Sequence, residues 1–153
     1  MKILFVCSGN HGISYIVSAQ AQSLTNTGIQ VEIFQIVGRG VLGYLSSLPK
    51  LHKQCRKFNP DIIHAHYSLC GIVARLASRK PVVTSLMGSD VWHSGLMRSV
   101  IKIFINHLWS RTIVKSDEMK ASLNHARLCV LPNGVDLDLF KPMNKQQCQI
   151  QLG

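Results

Sequence analysis

The chain has 153 residues, 46% of them apolar and only 16% charged, a globular composition that excludes a disordered one. Its 17 Lys and Arg against 7 Asp and Glu give a formal charge of +10, which predicts attraction to nucleic acid, anionic lipid or a phosphorylated ligand without choosing among them. A single domain accounts for this length, burying roughly 68–70% of the unfolded surface.

The first element is an apolar run, Ile3 to Cys7, that reads as a strand buried on both faces of a parallel sheet. It is too short for a signal-peptide core, and no later run approaches the ~20 residues of a membrane span. The loop Ser8-Gly-Asn-His-Gly12 follows, and Ser14 is placed to cap a helix running to about Thr27. Gln30 to Ile36 alternates as the second strand. A glycine-rich loop (Gly38, Gly40, Gly43) leads into a basic helix from about Tyr44 to Phe58.

Ile62 to His66 is the third strand, and Leu69 to Ser78 a short helix of small residues. Val82 to Leu86 is the fourth strand, ending in Gly88-Ser-Asp90. Met97 to Trp109 reads as a second basic helix and Arg111 to Val114 as the fifth strand. Ser116 caps a helix to about Asn124. Leu128 to Leu131 is the last strand, stopped by Pro132-Asn-Gly134, where Asn-Gly favours positive φ. Strands alternating with helices at this spacing predict an α/β fold, a Rossmann-like three-layer arrangement around a parallel sheet with right-handed crossovers.

Five cysteines without a Cys-x-x-Cys pair read as free thiols in a reducing cytoplasm, with Cys7 and Cys129 as small hydrophobes in strands.

Ligands of an open parallel sheet bind beyond the carboxyl ends of its strands, and that rule selects four stretches. In Ser8, Gly9, Asn10 and Gly12, glycines let backbone amides approach an anion at the positive end of a helix, or simply make a tight turn. The two glycines do not have dinucleotide spacing, which excludes an NAD-type dehydrogenase, and there is no Walker A lysine. His64 and His66 lie two apart on one strand face. No third ligand accompanies them, so one buried histidine and one at the strand tip is the expectation, with His66 or Tyr67 reaching a ligand. Gly88, Ser89, Asp90, Trp92 and His93 put a hydroxyl, a carboxylate, an indole and an imidazole at one strand end, groups suited to sugar hydroxyls and, for Asp90 and His93, to proton handling. Asn133 and Gly134 form the fourth stretch, equally a turn or a ligand loop.

The charge concentrates on the two basic helices. Lys50, His52, Lys53, Arg56 and Lys57 cluster on one. Arg98, Lys102, His107 and Arg111 alternate with apolar residues on the other, which is either a core helix or one that presses Arg98, Lys102 and Trp109 against an anionic membrane. Nucleic acid is disfavoured, because no aromatic platform accompanies the cations.

Taken together, several of these stretches resemble glycosyltransferase family 4, retaining enzymes of two Rossmann-like domains in the GT-B arrangement. Val130-Leu-Pro-Asn-Gly-Val-Asp-Leu-Asp-Leu-Phe-Lys-Pro142 is similar to its interdomain signature. Asp61-Ile-Ile-His-Ala-His-Tyr67 with Gly71, and Thr84-Ser-Leu-Met-Gly-Ser-Asp-Val91, resemble two patterns of its N-terminal domain. Met87 stands where many members have a histidine, so a role for that histidine is not carried over.

The resemblance implies metal-independent transfer of a sugar, without a cofactor, from a nucleotide-sugar donor to a glycan or lipid-linked acceptor, as in bacterial cell-envelope polysaccharide or glycolipid synthesis. It implies residues 1–142 as the N-terminal, acceptor-side domain and 143–153 as the start of the linker and second domain, the donor binding mainly through a domain not in this sequence. The isolated chain is then expected to be inactive. Asp90 and His66 match family positions, and His93 is added by proximity. Two alternatives stay open: a non-catalytic membrane-recruiting or acceptor-binding subunit of a two-chain transferase, and a nucleotide-sugar epimerase of the same architecture. The expected location is cytoplasmic, peripheral on the inner face of the plasma membrane.

Overall fold

The computed structural model describes residues 1–89, 95–137 and 140–152. Six parallel strands form one sheet: β1 (Lys2–Ser8), β2 (Gln30–Ile36), β3 (Ile62–His66), β4 (Val82–Ser85), β5 (Arg111–Val114) and β6 (Leu128–Val130). Their order is β2-β1-β3-β4-β5-β6, so the chain reverses its direction of travel across the sheet between β1 and β3. In open parallel sheets such a reversal marks the place of a ligand crevice, at the carboxyl ends of the two strands.

The sheet is sandwiched unequally. Ile3, Phe5 and Cys7 pack under Val17 and Ala21 of α1 (Tyr15–Asn26) on one face. The opposite face carries α2 (Gly40–Leu45), α3 (Leu48–Phe58), α4 (Ser68–Ala77), α5 (Leu96–Ile103) and α6 (Asp117–Leu123), whose Tyr44, Leu51, Val73, Ala74, Ile101 and Met119 share a core with Leu4, Val6 and Ile63. This asymmetry follows from right-handed crossovers: only the β1-to-β2 connection runs leftward, so only its helix lands on the first face. The last helix, α7 (Lys145–Leu152), leaves Ile150 exposed.

Local chemistry sets the helix ends. Ser14 Oγ accepts from the Val17 amide at 3.4 Å, and Ser116 Oγ from the Met119 amide at 3.2 Å, each satisfying a donor that the helix itself cannot. Ser116→Ala should therefore lower stability by about 1 kcal/mol in denaturant titration; an unchanged midpoint would show that the cap adds nothing.

Three expectations need correction. The single basic helix from Tyr44 is two, α2 and α3, because Ser46 Oγ turns back onto the Gly43 carbonyl at 2.7 Å and Pro49 restarts the helix in its first turn. The second basic helix does not run to Trp109 as an α-helix. It passes into a π-turn, Phe104–Leu108, closed by the Trp109 amide on the Phe104 carbonyl at 2.8 Å. Cys129 is exposed, because β6 is an edge strand and α6 packs on the face that carries Leu128, opposite to Cys129.

Candidate functional site

All six strands run the same way, so the four nominated stretches leave from one edge of the sheet. Backbone bonds extend this edge past the strand ends: Tyr67 N–H donates to the Ser85 carbonyl at 2.8 Å, Leu86 N–H to Ile113 at 2.8 Å, and Leu131 N–H to Val114 at 2.9 Å.

At the reversal, the Ser8–Gly12 loop is clamped to the loop after β2. Asn10 Nδ2 donates to the Gly38 carbonyl at 2.8 Å, and Gly38 N–H donates to Asn10 Oδ1 at 2.9 Å. Gly9 is required by proximity: a Cβ there would lie 2.8 Å from Gln35 Cβ. The amides of Gly9 and Gly12 are already committed, to the carbonyls of Ile36 at 2.8 Å and Gly9 at 3.2 Å. An anion at this loop must use other donors. His11 and Arg39 line a depression of about 410 Å³ with Asn10, Val37 and Gly38, and a guanidinium is such a donor.

His64 and His66 do lie on one face, their rings stacked at 4.4 Å and both edge-on to Phe5. The expected exposed tip is not there: His66 is only 4% exposed, buried like His64. His64 Nε2 is 2.9 Å from Ser85 Oγ, whereas His66 Nε2 has no hydrogen-bond partner among the described residues. Burial holds both rings neutral, with Lys115 adding to the effect, so that His64 titrates at about 4 and His66, also beside His64, at about 3. Among the described residues, no group of three His, Cys, Asp or Glu can hold a metal ion.

Tyr67, at the tip of β3, holds φ 100° and ψ 146°, a region that side-chain-bearing residues avoid at a cost of about 1–3 kcal/mol. Its ring lies 6.4 Å from that of Tyr44, tilted to it, and the Ser8 side chain is close enough to Tyr44 to offset part of the upward shift that burial gives its hydroxyl. A chain of contacts thus links the ends of β1 and β3. Gly88 and Ser89 follow β4, Ser89 exposed. Asp90 and His93 lie outside the described residues. Asn133 and Gly134 are exposed on the same edge, and neither takes the positive φ expected of an Asn-Gly stop.

Tyr44, Lys115, Arg39 and His11 were not nominated from sequence. Lys115 directly follows β5, so the strand-end rule could have found it. Arg39 comes from the loop after β2 and Tyr44 from α2, which that loop leads into, and the Asn10–Gly38 clamp ties the loop to this edge.

The membrane-facing trio does not form a face. Trp109 is 4% exposed, its ring against Phe104 at 5.5 Å, because the π-turn rotates it into the core. Arg98 is half-buried and donates to the Ser122 carbonyl. An exposed basic cluster, Lys50, His52, Lys53, Arg56 and Lys57, lies instead on α3. No helix among the described residues is long and apolar enough to cross a membrane.

Comparison with known proteins gives the same outline. The family model of Glycosyltransferase Family 4 matches residues 10–139. Over 113 residues the chain is 31% identical to the Escherichia coli UDP-Gal:alpha-D-GlcNAc-diphosphoundecaprenol alpha-1,3-galactosyltransferase, covering 64% of this chain and 29% of that protein. Among solved structures, Anabaena HepE in complex with UDP-glucose superposes with a TM-score of 0.68 at 21% identity, over 99% of this chain and 50% of that one. Sucrose-phosphate synthase from Thermosynechococcus elongatus gives 0.74 at 16% identity, over 100% and 53%. The chain therefore spans about half the length of those structures and less than a third of the galactosyltransferase.

Proposed function

The chain belongs to glycosyltransferase family 4, and on that premise we propose that it is the N-terminal, acceptor-side part of a retaining glycosyltransferase. The donor is a nucleotide sugar, bound mainly by a second domain. The acceptor is a glycan or a lipid-linked saccharide of bacterial envelope synthesis, and the reaction takes place in the cytoplasm at the inner membrane face. In this reading residues 1–142 form the acceptor-side domain, and 143–153 begin the connection to the donor side.

The observation that carries the reading is the crevice at the β1/β3 reversal. At that strand edge Asn10, His11 and Arg39 line a depression between the loops after β1 and β2, and Tyr67, the strained tip of β3, lies against Tyr44. Ser8, Gly9, Asn10 and Gly12 border the donor phosphates or the reacting sugar. Tyr67, Gly88, Ser89, Asn133 and Gly134 line the acceptor side. Asp90, with His93, orients the acceptor hydroxyl, while His66 supports from beneath as a neutral ring, since a group titrating at about 3 carries no charge near pH 7. The galactosyltransferase relative supports a UDP-sugar donor and a diphospholipid-linked acceptor. A charge of +10 supports a peripheral position on an anionic membrane, with α3 turned towards it.

The test is sugar transfer by the full-length protein that contains this chain, using radiolabelled UDP-galactose and a GlcNAc-diphospholipid acceptor. Transfer is expected, with Asp90→Ala reducing kcat/KM about 100-fold or more. Unaltered transfer by that variant would remove Asp90 from the site. Turnover by residues 1–153 alone would overturn the two-domain division of labour.

A further inference from the structure

A second cavity, of about 600 Å³, lies at the opposite end of the strands from the crevice. It sits where the C-terminal ends of α3, α4 and the π-turn meet, and its wall includes His52, Arg56, Arg75, Leu76, Arg79 and Lys80. The five residues of β3 separate the two ends by about 17 Å, so one ligand group cannot serve both.

The bland account of these cations is helix capping. Each helix C-terminus carries about half a negative charge, roughly −1.5 for the three, and cations are favourable there. Two groups do act so: His52 Nδ1 is 2.8 Å from the Ala77 carbonyl oxygen, and Arg75 Nη1 donates to the Ser78 carbonyl at 3.3 Å. Four permanent cations nevertheless line the cavity (Arg56, Arg75, Arg79 and Lys80), and no acidic residue does. They outweigh the three helix ends by about 2.5 charges. Arg56, Arg79 and Lys80 form no ion pair among the described residues. Capping accounts for two of the basic groups and leaves these three.

We infer that this cavity is a binding site for a phosphate ester, its phosphoryl or diphosphate group held by Arg56, Arg79 and Lys80 and its organic part resting on Leu76, Ala77 and Leu108. Guanidinium groups pair with phosphate oxygens two bonds at a time, and a multiply charged phosphate neutralises the surplus that a single carboxylate would leave. The volume is that of a small-molecule site and much larger than a simple anion needs. Leu76, 57% exposed beside the cations, gives an apolar stem a place to lie. The phosphate belongs either to a soluble ester or to a lipid head group, and both present the same chemistry.

The experiment titrates the protein with inorganic pyrophosphate while following backbone amide shifts. Saturable shifts confined to 52–59, 75–80 and 108 are expected, with Arg79→Gln/Lys80→Gln weakening binding about tenfold or more. Lys50→Gln/Lys53→Gln removes the same charge from α3 outside the cavity wall and should change affinity less than about twofold. Equal weakening by the two pairs, or shifts spread over the whole basic surface, would overturn the site in favour of diffuse attraction. A second arm uses phosphatidylglycerol–phosphatidylcholine vesicles. Vesicle binding that pyrophosphate displaces and Arg79→Gln/Lys80→Gln abolishes assigns the site to a lipid head group. Pyrophosphate binding with vesicle binding unchanged in that variant assigns it to a soluble ester. Neither arm depends on sugar transfer, so a failure of this site is distinguishable from a failure of the transferase reading.

Discussion

Lowering the pH from 8 to 5 should destabilise the fold by about 4 kcal/mol, and His64 and His66 are the reason. In the unfolded chain each imidazole titrates near 6.5; in the fold, burial holds the pair at about 4 and about 3. A histidine whose folded pKa is depressed contributes stability that is complete above the unfolded value and is lost as the pH falls below it. At pH 5 both rings are protonated in the unfolded chain and neutral in the fold, which favours unfolding by about 2 kcal/mol for each. That figure rests on the unfolded pKa, since pH 5 lies above both folded values. Typical domains have about 5–15 kcal/mol in total, so the loss is large. Urea titrations at pH 8 and pH 5 measure it. His66→Gln, which has the polarity without the titration, should remove about half of the difference. A pH dependence equal in that variant and the parent would mean that the buried pair is not its source.

Gly71→Ala should cost about 1–3 kcal/mol, although alanine is the better helix former by about 1 kcal/mol. A Cβ at Gly71 would meet Thr84 Oγ1 at 2.5 Å, Thr84 Cγ2 at 2.8 Å and Trp109 Cζ2 at 2.9 Å. None of these can retreat. Thr84 is fully buried in β4, paired on both sides, and Trp109 is pinned by the π-turn bond and by Phe104. Thermal melts of Gly71→Ala and Gly71→Val should show a graded loss, with the valine variant failing to accumulate as folded protein. Gly134→Ala, where nothing among the described residues lies within 4 Å, should stay within about 0.5 kcal/mol of the parent. Thr84→Ala in the Gly71→Ala background should restore part of the loss, a coupling that only direct contact produces. Additive losses in that pair would dismiss the steric account.

Most of the fold is legible in the residues themselves. The apolar runs, alternating Gln30–Ile36 and the Ser14 and Ser116 caps are local signals, and the strands lie where those signals put them, to within a residue or so. Amphipathic periodicity was less informative at Trp109. A helix continued at 3.6 residues per turn gives that indole one direction; a single wider turn gives it another, and no local pattern distinguishes them. Gly71 shows the same limit. Its sequence neighbours explain no glycine, and only the approach of β4 and Trp109 from elsewhere in the chain requires one.

The crevice is divided in the same way. Ser8–Gly12, His66–Tyr67 and Gly88–Ser89 follow from one rule about strand ends, which needs only the order of elements. Which of those side chains face solvent is a different matter. His66 and His64 share a face as period two dictates, yet the cover that buries both comes from Phe5 and neighbouring strands. Tyr44, Arg39 and Lys115 reach the edge because folding brings distant segments there. By itself, then, the sequence determined the alternation of strands and helices, the parallel sheet and the strand edge from which the candidate loops leave, because period, caps and turn chemistry act over a few residues. The tertiary structure alone decided that Trp109 is core, that His66 is buried and uncharged, and that three helix ends border an open cationic depression. Burial, charge surplus and close approach are sums over residues far apart in the chain.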